Sequence, residues 1–178
     1  AELLLRSYEL LRDHADVLDH YRKRFTHMLV DEFQDTNTLQ YQWLRLLAGP
    51  GGTPFVVGDD DQSIYGWRGA TIDNLKRLPQ DYPRLKVIPL EQNYRSTGAI
   101  LRAANQVIAK NPKIFEKKLW SEFGEGEPVQ VVECDGEEHE AERAVARINA
   151  LRARGGQVKH SDFAILYRAN HQARVFEQ

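Results

Sequence analysis

The sequence predicts an α/β fold in which a mostly parallel sheet is covered by helices. Three observations lead there. Short apolar runs alternate with stretches whose apolar residues recur at helical spacing, Gly and Pro clusters punctuate the alternation, and two of the apolar runs end in acidic residues. At 178 residues the chain is long enough for one domain, or for parts of two, with a sizeable core.

Two short helices are expected first, carrying Leu3, Leu4, Leu5, Tyr8 and Leu11 and broken near Asp13 to Asp16. Phe25 to Val30 reads as a strand that ends at Asp31-Glu32. Leu39, Trp43, Leu46 and Leu47 then recur at helical spacing, with Asp35 or Thr36 as the expected cap and Gly49-Pro50-Gly51-Gly52 as the following turn. Phe55 to Val57 is predicted to be a short buried strand leading to Gly58 and three aspartates, and Leu85 to Leu90 another strand. Ile100, Leu101, Ala104, Val107 and Ile108 mark one face of a helix that Ser96 or Thr97 can cap and Asn111-Pro112 ends. Beyond the polar connection Gly124 to Pro128, a β-α-β unit is predicted. Its strand covers Val129 to Cys134, its helix about Glu138 to Arg154 with a stop at Gly155-Gly156, and its second strand Phe163 to Tyr167.

Composition sets limits on function. The chain is 42% hydrophobic and 28% charged with a net charge of −2, an ordinary globular balance that argues mildly against holding nucleic acid mainly by a basic surface. No apolar run reaches the length needed to cross a membrane, and no secretory leader opens the chain, so a cytoplasmic place is expected. The single cysteine, Cys134, cannot form an internal disulfide and is read as a buried strand residue. Arg22-Lys23-Arg24 and Lys117-Lys118 are read as solvated faces, and the six histidines show no metal-ligand spacing.

Chemistry is expected where strands end. In α/β sheets ligands gather at the carboxyl ends of strands, which is where Asp31 and Glu32 fall. A carboxylate there can hold Mg2+ through its water shell, and a second can orient or deprotonate an attacking water. The pair alone is equally compatible with a cap or a solvated loop. Asp59, Asp60 and Asp61 could suggest a nuclease metal cluster, but adjacent residues are not expected to converge on one ion, so the run is read as a loop.

Three strings narrow the choice: Asp31-Glu32-Phe33-Gln34-Asp35, then Val57 to Ala70 (VGDDDQSIYGWRGA), then Leu90 to Thr97 (LEQNYRST). In this order they resemble motifs II, III and IV of superfamily 1 helicases of the UvrD/Rep/PcrA group. The resemblance continues through Lys117-Lys118-Leu119-Trp120 and Ile165 to Asn170 and so covers nearly the whole chain; Gly58 to Ala70 and the Lys-Lys-Leu-Trp string look most like the UvrD branch. It implies RecA-like parallel sheets covered by helices, belonging to parts of two motor domains.

Roles follow by the same resemblance. Asp31 matches the Mg2+-orienting aspartate and Glu32, beside the metal, the glutamate that activates water. Gln62 matches a glutamine that senses the γ-phosphate, where an uncharged amide can donate to phosphate or accept from water. Arg95 matches an arginine that reaches the γ-phosphate across the cleft between the domains, and its planar fork suits phosphate oxygens. Tyr94 matches the tyrosine that stacks on the nucleotide base. Tyr65, Trp67 and Arg68 fit a platform for single-stranded DNA, since aromatic stacking accepts any base; Trp67 matches the residue on which a DNA base stacks. Arg168 and Asn170 resemble a segment lying along the DNA.

The Gly-x-x-x-x-Gly-Lys-Ser/Thr phosphate loop is absent, and no Gly-Lys dipeptide occurs. Ala1 opens directly on a helical pattern and Gln178 closes inside another, so a piece of a longer protein is expected, inactive alone. The resemblance divides it into residues 1–26, the tail of an accessory helical domain; 27–91, the later half of the first motor domain; and 92–178, the start of the second. It implies an enzyme using ATP and Mg2+ to move 3′ to 5′ on single-stranded DNA and unwind duplex, in repair or replication and with protein partners that the residues do not name. Two other classes stay open: a binding module that grips single-stranded DNA without hydrolysis, and a metal-dependent nuclease.

Overall fold

The computed structural model describes residues 2–154 and 157–177, so the expected stop at Gly155-Gly156 lies outside the described residues. The chain divides into two compact units, Ala1–Val129 and Gln130–Gln178, each considered by itself.

The first unit opens with α1 (Glu2–Asp13) and α2 (Ala15–Arg24), as their spacing predicts. Leu11 and Leu18 close a small apolar cluster against Leu47 of α3 (Thr38–Ala48). Of the expected strand from Phe25 to Val30, only β1 (Leu29–Val30) pairs, because the Phe25 N–H still donates to Tyr21 and finishes α2. The partner is β2 (Phe55–Val56), parallel, with Leu29 opposite Phe55 and Val30 opposite Val56. β2 is not the buried strand expected: Phe55 is exposed, with no second neighbour among the described residues.

The main core forms beneath this pair. Phe33 is fully buried, meets Tyr41 of α3 edge to face at 5.6 Å, and packs with Leu44 and with Leu75 and Leu78 of α4 (Asp73–Asp81). Asn74, also buried, donates to Thr36 O, Thr36 Oγ1 and Asn37 O at 3.0–3.1 Å, which staples α4 to the turn before α3.

The cap of α3 falls one residue later than expected. Asp35 and Thr36 belong to a preceding turn, and the Thr36 hydroxyl already donates to Phe33 O. Asn37 caps instead: its Oδ1 accepts from Gln40 N while its own N–H donates to Gln40 Oε1, both at 2.9 Å. Asn37→Ala should therefore lower unfolding stability by about 1 kcal/mol, read from urea or thermal midpoints; an unshifted midpoint would show that another group replaces the cap.

Helix α5 (Gly98–Ile108) begins after Thr97, one of its two expected caps, but no side chain caps it. Its first free N–H groups donate to the backbone instead, Gly98 to Gly124 O and Ala99 to Glu125 O, both at 2.8 Å. A Cβ at position 98 would lie 3.2 Å from that Gly124 oxygen, a tight contact that glycine avoids.

The expected strand at Leu85 to Leu90 does not form, and Val87, Ile88 and Leu90 stand exposed. The predicted strands at Val129 to Cys134 and Phe163 to Tyr167 likewise do not form, leaving Cys134 half-buried rather than in a strand. The physical reason is common to all three. A strand is stabilised by ladder hydrogen bonds to a neighbour, and none of the described residues supplies that neighbour. In the second unit the predicted helix does form, as α6 (Glu137–Ala153), which packs against α7 (Arg174–Glu177). Ala141 is buried on α6 and Val145 of its expected apolar face is exposed. No described helix is long and apolar enough to cross a membrane.

Candidate functional site

Parallel pairing puts the carboxyl ends of β1 and β2 at the same edge, which brings Asp31-Glu32 beside Gly58-Asp59. The pairing extends one step past the strands, since Phe33 N donates to Val57 O at 3.0 Å. Phe33, locked in the core, anchors the turn from which both carboxylates project into solvent. Glu32 adopts a left-handed backbone with φ 48°, the one non-glycine residue with positive φ among those described. Such a conformation costs roughly 1–2 kcal/mol, and it is held here by its neighbours. The Asp31 carboxylate accepts from Glu32 N, and the Glu32 carboxylate accepts from Gln34 Nε2 at 2.7 Å.

Gln34 is 1% exposed and works in both directions: while its amide N donates to Glu32, its Oε1 accepts from Asp59 N at 3.0 Å. Gly58 eases the fit, because a Cβ there would sit a tight 3.0 Å from that same oxygen. Asp59 Oδ2 in turn accepts from Gln62 Nε2 at 2.7 Å. A continuous hydrogen-bonded line therefore runs from Glu32 through Gln34 and Asp59 to Gln62.

The aspartate run is not the simple loop expected. All three carboxylates converge on one cation, the Lys117 ammonium, at 2.8 Å for Asp60 and 3.1 Å for Asp61, with Asp59 in direct contact. Adjacent residues can converge because Asp60 to Gln62 form a tight helical turn that brings three side chains to one side. Lys113 pairs with Asp61 at 3.0 Å, and Ile114 N donates to Asp60 Oδ2. Lys117 is correspondingly no solvated charge, its side chain being 16% exposed; Arg22 is likewise tied, donating to Leu46 O.

Burial disfavours charge on Asp59 and Asp60, but hydrogen bonds from Lys117, aided by Gln62 and Ile114, outweigh it and hold both below the usual carboxylate range. Burial also opposes the Lys117 charge, and its three carboxylate partners again win, holding it above the ordinary lysine value. The sign follows for each. A depressed carboxylate contributes stability that is lost only as pH falls through its folded value, and a raised ammonium only as pH rises through its own, so Asp59, Asp60 and Lys117 stay ionised across the whole interval between.

Next along the chain, Tyr65, Trp67 and Arg68 form an outward-facing group. Trp67 is 79% exposed, with its ring 6.4 Å from that of Tyr65, and the Arg68 guanidinium lies 5.4 Å from Tyr65 and 5.6 Å from Trp67. Tyr94 and Arg95 are exposed on a turn set by Asn93, whose Oδ1 accepts from Arg95 N and Ser96 N. That turn is tied to the Lys117–Trp120 segment: Asn93 N donates to Trp120 O, Trp120 N to Glu91 O, and Lys118 N to the Glu91 carboxylate. Arg168 and Asn170 lie in the second unit, exposed, where Arg168 N donates to Gln172 Oε1.

Asp31, Glu32 and Gln62 thus share one edge with the aromatic group following in the same segment. An exposed pair of carboxylates at that edge is a hard, all-oxygen donor set of the kind Mg2+ accepts. Sequence reasoning missed Gln34, Asn93, Lys113 and Lys117. The usable signal was charge: three consecutive acids in a loop that folds inward require cations, and Lys113 and Lys117 are spaced to supply them.

Two family models match the chain, the UvrD/REP helicase N-terminal domain over residues 1–83 and the UvrD-like helicase C-terminal domain over residues 88–178. The chain is 52% identical to DNA helicase II of Escherichia coli (strain K12) over 100% of its length and 24% of that protein's. It is 51% identical to the ATP-dependent DNA helicase Rep of the same organism, over 99% of this chain and 26% of that one. DNA helicase II of Haemophilus influenzae is 48% identical over 100% of this chain and 24% of that protein. The chain spans about a quarter of the length of these curated relatives.

Proposed function

The chain belongs to the UvrD-like helicase family, and from that premise we propose that the full-length protein carrying it is an ATP-dependent helicase. It moves 3′ to 5′ on single-stranded DNA and unwinds duplex, in repair or replication within the cytoplasm. Residues 27–91 supply the later half of one motor domain, residues 92–178 the start of a second, and residues 1–26 the tail of an accessory helical domain. The observation that carries the reading is the hydrogen-bonded line from Glu32 to Gln62 running directly into the half-buried Tyr65 and the exposed Trp67 and Arg68. One short segment can then sense nucleotide at one end and DNA at the other.

In this mechanism Asp31, with Glu32 beside it, would hold Mg2+, which would supply neutralisation of charge on the ATP phosphates. Glu32 accepts the proton of the attacking water, held in place by the Gln34 amide. Gln62 contacts the γ-phosphate, and Arg95 stabilises the charge that develops there, while Tyr94 stacks on the base. Trp67 and Tyr65 receive DNA bases with Arg68 against their rings, and Arg168 and Asn170 line the strand farther along.

Trp67→Ala in the full-length protein tests the DNA end. Loss of one stack is worth about 1–3 kcal/mol, so single-strand affinity should fall roughly 5- to 150-fold with little dependence on base sequence. Thermal stability should hold, because Trp67 is 79% exposed, whereas truncating a buried tryptophan costs about 3–5 kcal/mol. Unchanged DNA affinity would remove Trp67 from the interface. A nuclease would instead cut DNA without ATP, and the position its metal needs among the aspartates is taken by the Lys117 ammonium.

A further inference from the structure

The segment from Lys113 to Trp120 lies within the C-terminal family model yet grips the aspartate run of the N-terminal one. At its other end it pairs with Glu91 to Asn93, next to Arg95. It touches both strings to which phosphate-contacting residues belong, and no role in the proposed mechanism accounts for it.

We propose that Lys117, seconded by Lys113, is a positioning residue that sets the Gln62 amide by clamping Asp59, Asp60 and Asp61 and joining them to the turn that bears Arg95. The path is short. Asp59 shares its carboxylate between Lys117, on Oδ1, and Gln62, on Oδ2. Without the ammonium, three carboxylates in one tight turn repel, and the turn that also sets the Gln62 backbone through Gln62 N to Asp59 O opens. Asp60 at 3%, Asp61 at 10% and Lys117 at 16% exposure are shielded and Asp59 at 30% is partly so, and solvent screens only part of that repulsion. Because the other end of the segment holds the Asn93 turn, the same strap keeps Gln62 and Arg95 in fixed register within this unit.

The inference rests on the proposed ATP-driven activity, and its test keeps the two apart. In the full-length protein, Lys117→Ala should lower kcat for DNA-stimulated ATP hydrolysis about tenfold or more, a coupling of the size found between residues of one network. KM for ATP and single-strand affinity should stay near wild type, and Lys117→Arg should recover most of the rate. If Lys117 acts through Gln62, adding Lys117→Ala to Gln62→Ala should bring no further loss. Losses that multiply, or a raised KM with kcat unchanged, overturn the proposal. Should Lys117→Ala lose cooperative melting, the paired variant Asp60→Asn with Lys117→Met, which removes one charge of each sign, carries the same comparison. No hydrolysis by the wild type overturns the functional reading and this inference together, whereas equal hydrolysis by wild type and Lys117→Ala overturns this inference alone.

Discussion

Replacing Glu32 with Gln in the full-length protein is expected to reduce ATP turnover by about 10²–10⁴-fold, the usual worth of a general base, with nucleotide affinity nearly unchanged. The expectation comes from position as much as from residue type. Glu32 stands in a left-handed backbone conformation at the carboxyl edge of β1, and its carboxylate is held by the Gln34 amide, itself buried and fixed by Asp59 N. An amide at position 32 is nearly isosteric and leaves Asp31 in place, but it cannot take a proton from water. Measured turnover and nucleotide titration on the same variant separate the two effects. A turnover close to wild type would assign the base to another residue.

Arg95→Ala is expected to slow hydrolysis by about 10²–10³-fold, the typical loss when one preorganised charge-stabilising donor is removed. Its backbone is preset by the side-chain Oδ1 of Asn93, which accepts from both Arg95 N and Ser96 N, while its exposed side chain remains available to a ligand. Arg95→Lys keeps the charge and loses the planar fork, so it should recover only part of the rate. An effect confined to DNA affinity would move Arg95 from the nucleotide site to the nucleic-acid surface.

Periodicity made most of the helices legible. Leu11, Leu47 and Leu101, picked out by helical spacing, are buried on the helices that carry them, whereas α4, with Leu75 and Leu78 buried, was not foreseen. The parallel pair was legible too, because apolar runs ending in acids mark strand ends in an α/β sheet. What periodicity could not reveal is whether a given apolar run finds a partner. Val87, Ile88, Val131 and Leu166 have strand composition, yet they stay unpaired among the described residues, since pairing is a property of two segments rather than one. The cap at Asn37 was missed for a related reason, as the Thr36 hydroxyl was already bonded to Phe33 by a turn with no sequence period.

The motif strings made most of the candidate site readable, but only as a set of residues. Its wiring was hidden. Gln34 was quoted inside a motif and given no task, although its buried amide links Glu32 to Asp59. Lys117 was taken for a surface charge because nothing local distinguishes a lysine facing water from one facing acids as far as 58 positions earlier in the chain. Rules based on spacing describe neighbours on one element, whereas this ion cluster is made by two segments that meet only on folding.

Strand separation by the full-length protein tests the central claim most directly. With a duplex carrying a 3′ single-stranded tail, Mg2+ and ATP, the account predicts separated, uncut strands, no separation without ATP, and none with Glu32→Gln. Intact duplex under all three conditions, or strands cut in the absence of ATP, would contradict it.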